Sequence, residues 1–246
     1  MNFTDADSYE AHATIQHQCA IDLVDTCVLP TQQISSVLDV GCGTGFVSRA
    51  LMARYGDAEY TLCDVSSEMV RFCKGRYPNA QVLLCDAETY DFNKRLSNSS
   101  AQTLESVVWD NSSEHYDLVI SNLAIQWFHD FEAFILKMLR HTNCIVFSTL
   151  LKGSFSKFNC LLEGVFPASA YATREEISLV LKKHSVITSF VEKDYLQSFA
   201  NPYMAALYFK NIGAHVQGSS RNAFVFKNNK KPVVLEYKTL FVRIEA

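Results

Sequence analysis

No stretch of the chain approaches the ~20 consecutive apolar residues that a membrane-spanning helix needs, so neither a membrane span nor a membrane partner is expected. Met1 to Glu10 is polar and acidic, with no basic n-region and no apolar h-region, and no secretory signal is expected there. Eight cysteines are scattered along the chain without a single C-x-x-C pair. That spacing argues against a zinc site or a disulfide framework, so no metal site is expected. Several cysteines fall at strand positions and read as small buried hydrophobes in a reducing, cytoplasmic setting. Internal repeats are lacking as well. The net charge of −4 gives no footprint for nucleic acid, and no such partner is expected.

What is present suits a globular enzyme. Apolar residues make up 48% and charged residues 20% of 246 positions, room for one large or two small domains with a sizeable core. The charge is uneven. Residues 1–150 hold 9 Lys/Arg against 19 Asp/Glu, and residues 151–246 hold 13 against 7. The basic C-terminal third suits an acidic partner or an anionic substrate, and equally an ordinary solvated face.

The chain is organised around residues 37–46. Val37, Leu38 and Val40 read as a buried strand. Gly41, Gly43 and Gly45 then free three alternate positions of side chains, so the backbone can turn sharply and approach a ligand. Helical apolar spacing resumes over Thr44 to Arg54, which places free N–H groups of a helix N-terminus at the turn. Glu59 to Asp64 is a second strand ending in an acid, and Asp64 lies 23 residues past Gly41. That is close to the ~20-residue offset at which an acid meets a ribose. Ser67 to Tyr77 reads as a helix stopped by Pro78, and Ala80 to Asp86 as a third strand ending in an acid. Residues 93–113 read as an exposed, Ser/Asn-rich insertion. Tyr116 to Asn122 is the fourth strand, His129 to Arg140 a helix, and Asn143 to Leu150 the fifth strand.

Before this core, one helix capped by Asp7 or Ser8 runs to Leu29-Pro30. It sets Tyr9, Ala13 and Gln16 nearly on one face, as surface or as a lid. After it, Ser154 to Phe166 and Thr173 to Lys183 read as helices. Ile187 to Phe199 has strand character, Asn201-Pro202 opens a helix ended by Gly213, and Val233 to Ile244 closes the chain as an antiparallel edge strand. The expected architecture is α/β: a Rossmann-like, doubly wound mixed sheet of seven strands with helical lid and cap segments. Within a single unit, 1–30 is the lid, 31–150 the core and 151–246 the acceptor-side cap.

The glycine spacing is G-x-G-x-G, one residue shorter than the dinucleotide fingerprint G-x-G-x-x-G. Asp39-Val40-Gly41-Cys42-Gly43-Thr44-Gly45, strand-end Asp64, Cys85-Asp86-Ala87 and Asn122 together resemble the motifs of class I S-adenosylmethionine-dependent methyltransferases. The resemblance implies that S-adenosylmethionine is the cofactor. It implies a site built from Asp39, Gly41, Gly43, Gly45, Asp64, Val65, Met69, Asp86, Ala87 and Asn122. A narrower resemblance, to the malonyl-acyl-carrier-protein O-methyltransferases of early biotin synthesis, rests on four segments. These are Tyr9-x-x-x-Ala13-x-x-Gln16, Ser121 to Trp127, Ser148-Thr149-Leu150 with Gly153-Ser154, and Lys210-x-Ile212-Gly213-Ala214.

The narrower resemblance implies methyl transfer to the carboxylate of a malonyl thioester on an acidic carrier protein. Tyr9, Gln16 and Lys210 would then serve the acceptor. A cation is the physical candidate for holding a carboxylate, and Lys152, Lys210 and Arg221 sit in the covering segments. Alternatives are a methyltransferase for a small free carboxylate such as trans-aconitate, or a non-transferring cofactor-binding assembly factor.

Overall fold

A computed structural model of the chain describes residues 5–92, 115–161, 171–214 and 229–246. The insertion expected at 93–113, the end of the helix expected to reach Phe166, and Arg221 lie outside the described residues.

Seven strands form one sheet: β1 (Ser36–Val40), β2 (Glu59–Asp64), β3 (Gln81–Leu84), β4 (Leu118–Asn122), β5 (Cys144–Leu150), β6 (Ile187–Phe199) and β7 (Val233–Glu245). Their order is β3-β2-β1-β4-β5-β7-β6. The first five run parallel. Strand β7 is antiparallel to both of its neighbours. The helices are α1 (Ala6–His12), α2 (Thr14–Cys27), α3 (Phe46–Met52), α4 (Ser67–Arg76), α5 (Phe131–Met138), α6 (Ser156–Leu161), α7 (Arg174–Lys182) and α8 (Pro202–Asn211).

Side-chain alternation along the strands feeds two apolar layers, one on each face of the sheet. Val37, Leu62, Ile120, Val146 and Phe241 pack with Leu23 of α2 and Leu51 of α3. Leu38, Cys63, Val119, Phe147 and Ile244 pack with Phe134 of α5 and Leu181 of α7. Burying each large side chain of this kind stabilises the fold by ~1.5–3 kcal/mol. The helix starts are fixed by caps: Ser66 accepts from Met69, Asp130 from Ala133, and Asn201 from Met204 ahead of Pro202. Thr173 and Glu176 form a reciprocal capping box.

Two expectations change. The closing strand is antiparallel but not at the edge. It lies between β5 and β6, and β6 is the edge. The burial patterns give the reason. Strand β7 carries the fully buried run Leu240-Phe241-Val242, which needs strands on both sides. Strand β6 is exposed over Val191 to Asp194, and charged residues blunt a free edge. The single N-terminal helix is in fact two. Asp5 caps α1, and the chain breaks at buried Ala13 before α2 begins. The break serves different neighbours, since α1 leans on α4 and α8 while α2 crosses α3, β4, β5 and β7.

Among the described residues, no helix is long and apolar enough to cross a membrane.

Candidate functional site

The strand order reverses direction beside β1, between β2 and β4. The carboxyl ends of β1 to β4 deliver Gly41, Asp64, Asp86 and Asn122 to one sheet edge, where doubly wound folds bind ligands. A cavity of about 270 Å³ opens there, near the lower end of ordinary small-molecule pockets. Of the residues expected for a cofactor, Gly41, Gly43, Asp64, Val65, Met69, Asp86, Ala87 and Asn122 line it, and so does Tyr9. Asp39 and Gly45 do not.

The glycine turn is built differently from a phosphate cradle. The N–H groups of Gly41 and Cys42 both donate to the Cys63 carbonyl, at 2.8 and 3.0 Å, and Gly45 donates to Cys42 at 2.8 Å. The Gly43 N–H donates to Asp64 Oδ2 at 2.9 Å. The turn therefore spends these four donors on the protein. All three glycines have positive φ. At Gly41 a Cβ would meet the Ala124 Cβ at 2.5 Å, and at Gly45 the Tyr77 ring at 2.5 Å. At Gly43 the nearest atom is the Tyr9 ring at 3.7 Å, an ordinary contact, so of the three only this glycine has room for a Cβ.

The acids differ in their tasks. Asp64 accepts from Gly43 on one oxygen and from Ser66 at 2.8 Å on the other. Burial raises its pKa, opposed by those backbone N–H groups. Asp39 is buried beneath the turn and accepts from Ser48 Oγ at 2.6 Å. Burial pushes its carboxyl up to about 7, helped by the nearby Asp64. It braces β1 against α3 and faces no cavity. Glu88 lines the cavity and accepts from the backbone N–H groups of His129 and Asp130 at 2.8–3.0 Å, which tie the end of β3 to the start of α5.

Cys63, Glu88, Phe128 and His129 also line this cavity, and none of them belongs to the motifs quoted for the site. Cys63 and Glu88 flank residues assigned to the site, so strand-end position is an available signal for them. For Phe128 and His129 there was none.

A second, smaller cavity of about 60 Å³ adjoins the first. Tyr9, Leu123 and Trp127 line both. Gln16 lines the second, so the break at Ala13 leaves Tyr9 and Gln16 facing a common space. Two of the cation candidates, Lys210 and Lys152, are among the described residues. Lys210 bounds a separate recess of about 20 Å³ with Asp5, Met69 and Tyr9. Lys152 is exposed and does not line either larger cavity.

Residues 37–143 match the family model described as "Methyltransferase domain". That span resembles a methyltransferase domain. The matched span runs from β1 to the threshold of β5 and so contains every residue of the glycine turn. The chain is 30% identical to the malonyl-[acyl-carrier protein] O-methyltransferase of Acetivibrio thermocellus, over 65% of this chain and 51% of that protein. The chain thus spans about half the length of that relative. It is 24% identical to the protein of the same name from Neorickettsia risticii, over 98% of this chain and 92% of the relative. Its fold is that of the plantazolicin methyltransferase BamL, solved with S-adenosylhomocysteine (TM-score 0.52, 18% identity, 98% of this chain and 86% of that one).

Proposed function

We propose that the chain transfers the methyl group of S-adenosylmethionine to the free carboxylate of a malonyl thioester on acyl carrier protein, an early step of biotin synthesis. The observation that carries the cofactor reading is the lining of the larger cavity. Asp64, Asp86 and Glu88 face it and, among the described residues, no Lys or Arg does. Such a set of carboxylates repels phosphates and suits a cationic nucleoside. Asp64, an acceptor, would hold the ribose hydroxyls. Met69, Val65, Ala87 and Phe128 would flank the base, and Gly41, Gly43 and Asn122 would face the amino-acid end, with Asp39 and Gly45 shaping the turn beneath. The names of the relatives support the acceptor, and the basic balance of residues 151–246 suits an acidic carrier in the cytoplasm.

When bound, S-adenosylmethionine supplies a sulfonium methyl that a carboxylate oxygen takes in one displacement, the electron pair of the broken bond staying on sulfur. The chain's own groups have three tasks. They exclude water, and Leu150, Phe155 and Phe209 wall the smaller cavity. They align the acceptor against the wall shared by Tyr9, Leu123 and Trp127. They also donate hydrogen bonds without taking a proton. A carboxylate, with a reference pKa near ~4, is already ionised at neutral pH. Desolvation raises the Tyr9 pKa above its usual value, so its hydroxyl stays a donor and is not a base.

The decisive experiment incubates the purified chain with methyl-labelled S-adenosylmethionine and malonyl-acyl carrier protein. Label appears on the carrier as a base-labile ester. The absence of transfer to malonyl thioester on carrier or coenzyme A would overturn the reading.

A further inference from the structure

The smaller cavity lacks what a carboxylate site usually has. None of the described residues that line it is charged. Its polar groups are amides and hydroxyls, and two of them are linked in a directed chain. The Tyr237 hydroxyl donates to the Tyr208 hydroxyl at 3.0 Å, and Tyr208 donates to Gln16 Oε1 at 3.2 Å. Tyr237 and Tyr208 are buried. The backbone carbonyl of Gln16 is held in turn by Asn122 Nδ2 at 3.0 Å. With its oxygen engaged by Tyr208, the Gln16 amide has its nitrogen left as a donor, and no described residue accepts from it. The other glutamine of the cavity is tied at both ends of its amide, with one N–H left over. Gln126 Nε2 donates to the Leu123 carbonyl at 2.5 Å and its Oε1 accepts from Thr149.

We infer that Tyr208 and Tyr237 are positioning residues which fix the Gln16 amide so that an uncharged N–H donor, and not a cation, meets the acceptor carboxylate. This rests on the carboxyl-methylation reading above. The chemistry favours it. The nucleophile loses its charge as the ester forms, so a tightly paired cation would stabilise the starting carboxylate more than the transition state. A neutral donor satisfies a buried oxygen without that penalty. The same arrangement sets specificity. One carboxylate whose charge is about to vanish fits a neutral cavity, whereas the second and third charges of a free di- or tricarboxylate would find no partner there. The site therefore selects a monocarboxylate whose other end is a neutral thioester.

The test uses the full chain, S-adenosylhomocysteine calorimetry, and initial rates with malonyl-coenzyme A, free malonate and trans-aconitate. Wild-type protein turns over the thioester and, at equal concentration, the free acids at least about a hundredfold more slowly. Tyr208→Phe and Tyr237→Phe keep the S-adenosylhomocysteine affinity and raise the malonyl-thioester KM about tenfold, the loss of one oriented hydrogen bond to a charged group. Gln16→Glu, which sets a like charge against the acceptor, raises KM further at unchanged cofactor affinity.

A wild type that methylates no malonyl thioester overturns the functional reading and this inference with it. A wild type that methylates the thioester overturns the inference alone under either of two results. One is equal rates on trans-aconitate. The other is an acceptor KM left unchanged by Gln16→Glu and both tyrosine variants while their calorimetry stays normal. Should a tyrosine variant lose cofactor binding, the Gln16→Glu arm decides the matter.

Discussion

The side-chain amide of Asn122 donates to the backbone carbonyl of Gln16 at 3.0 Å and accepts from Ser148 Oγ at 2.7 Å, and so it joins the wall of the larger cavity to a residue of the smaller one. Ser148 Oγ also accepts from the Leu123 N–H at 2.9 Å, and Leu123 holds a left-handed φ of 50° in the wall that both cavities share. Asn122→Ala removes one donor from the Gln16 carbonyl and the acceptor of the Ser148 hydroxyl, at a cost of ~0.5–1.5 kcal/mol in stability for each bond lost. We expect it to weaken S-adenosylhomocysteine binding and to raise the acceptor KM together. Calorimetry and steady-state rates check this. A variant that only melts earlier, with both constants unchanged, would show that the link is structural.

Asp64 is the second test. Its carboxylate holds the Gly43 and Ser66 N–H groups and still lines the cavity. Asp64→Ala removes the acceptor and loosens the turn at once. A hydrogen bond to a charged group is worth ~1.5–3 kcal/mol, so S-adenosylhomocysteine affinity should fall about tenfold to a hundredfold. Unchanged affinity in calorimetry would remove Asp64 from the site.

Asp39 makes stability depend on pH. The folded chain holds its proton up to about pH 7, whereas an ordinary aspartate releases it near 3.8. Across that window the native state binds more protons than the unfolded state, so this group's contribution to stability falls as pH rises, by up to ~1.4 kcal/mol per pH unit, and levels off above pH 7. Asp39→Asn keeps an acceptor for Ser48 and abolishes the slope. Urea unfolding at pH 5, 6, 7 and 8, taken as the difference between wild type and variant, isolates the term from the carboxylates that titrate lower. A flat difference would mean that Asp39 is ionised throughout.

Much of this was legible from local signals. Strand, glycine turn, helix and strand-end acid repeat in register from Val37 to Asp86, and caps such as Ser66, Thr173 and Asn201 mark helix starts in the residues themselves. What was not legible depended on long-range pairing. Nothing near Val233 says that Ile187 to Phe199 will cover it. Tyr208 and Tyr237 carry no motif, and they meet Gln16 only because α8 and β7 fold back across some two hundred residues of sequence. The expected cation was a general argument about carboxylates. The described lining of the smaller cavity, assembled from distant uncharged side chains, supports the proposed amide donor in its place.

The three glycines of the turn should separate stability from binding. All have positive φ, so an added Cβ costs ~1–2 kcal/mol at each. At Gly45 the Cβ would also strike the Tyr77 ring at 2.5 Å, and the Tyr77 hydroxyl donates to the Gly45 carbonyl at 3.1 Å, so the ring cannot withdraw without breaking a contact that braces the turn. At Gly43 the Cβ meets nothing closer than the Tyr9 ring at 3.7 Å, and Gly43 and Tyr9 both line the larger cavity. Gly45→Ala should therefore lower the melting temperature more than Gly43→Ala. The protein that still folds should bind S-adenosylhomocysteine near normally, because residue 45 does not line the cavity. Gly43→Ala should melt closer to wild type and lose affinity about tenfold or more, because the methyl group takes ligand space. Paired melting and calorimetry decide the matter. If both variants lose stability and affinity in the same proportion, the turn acts as one rigid unit and the division of labour between these glycines is wrong.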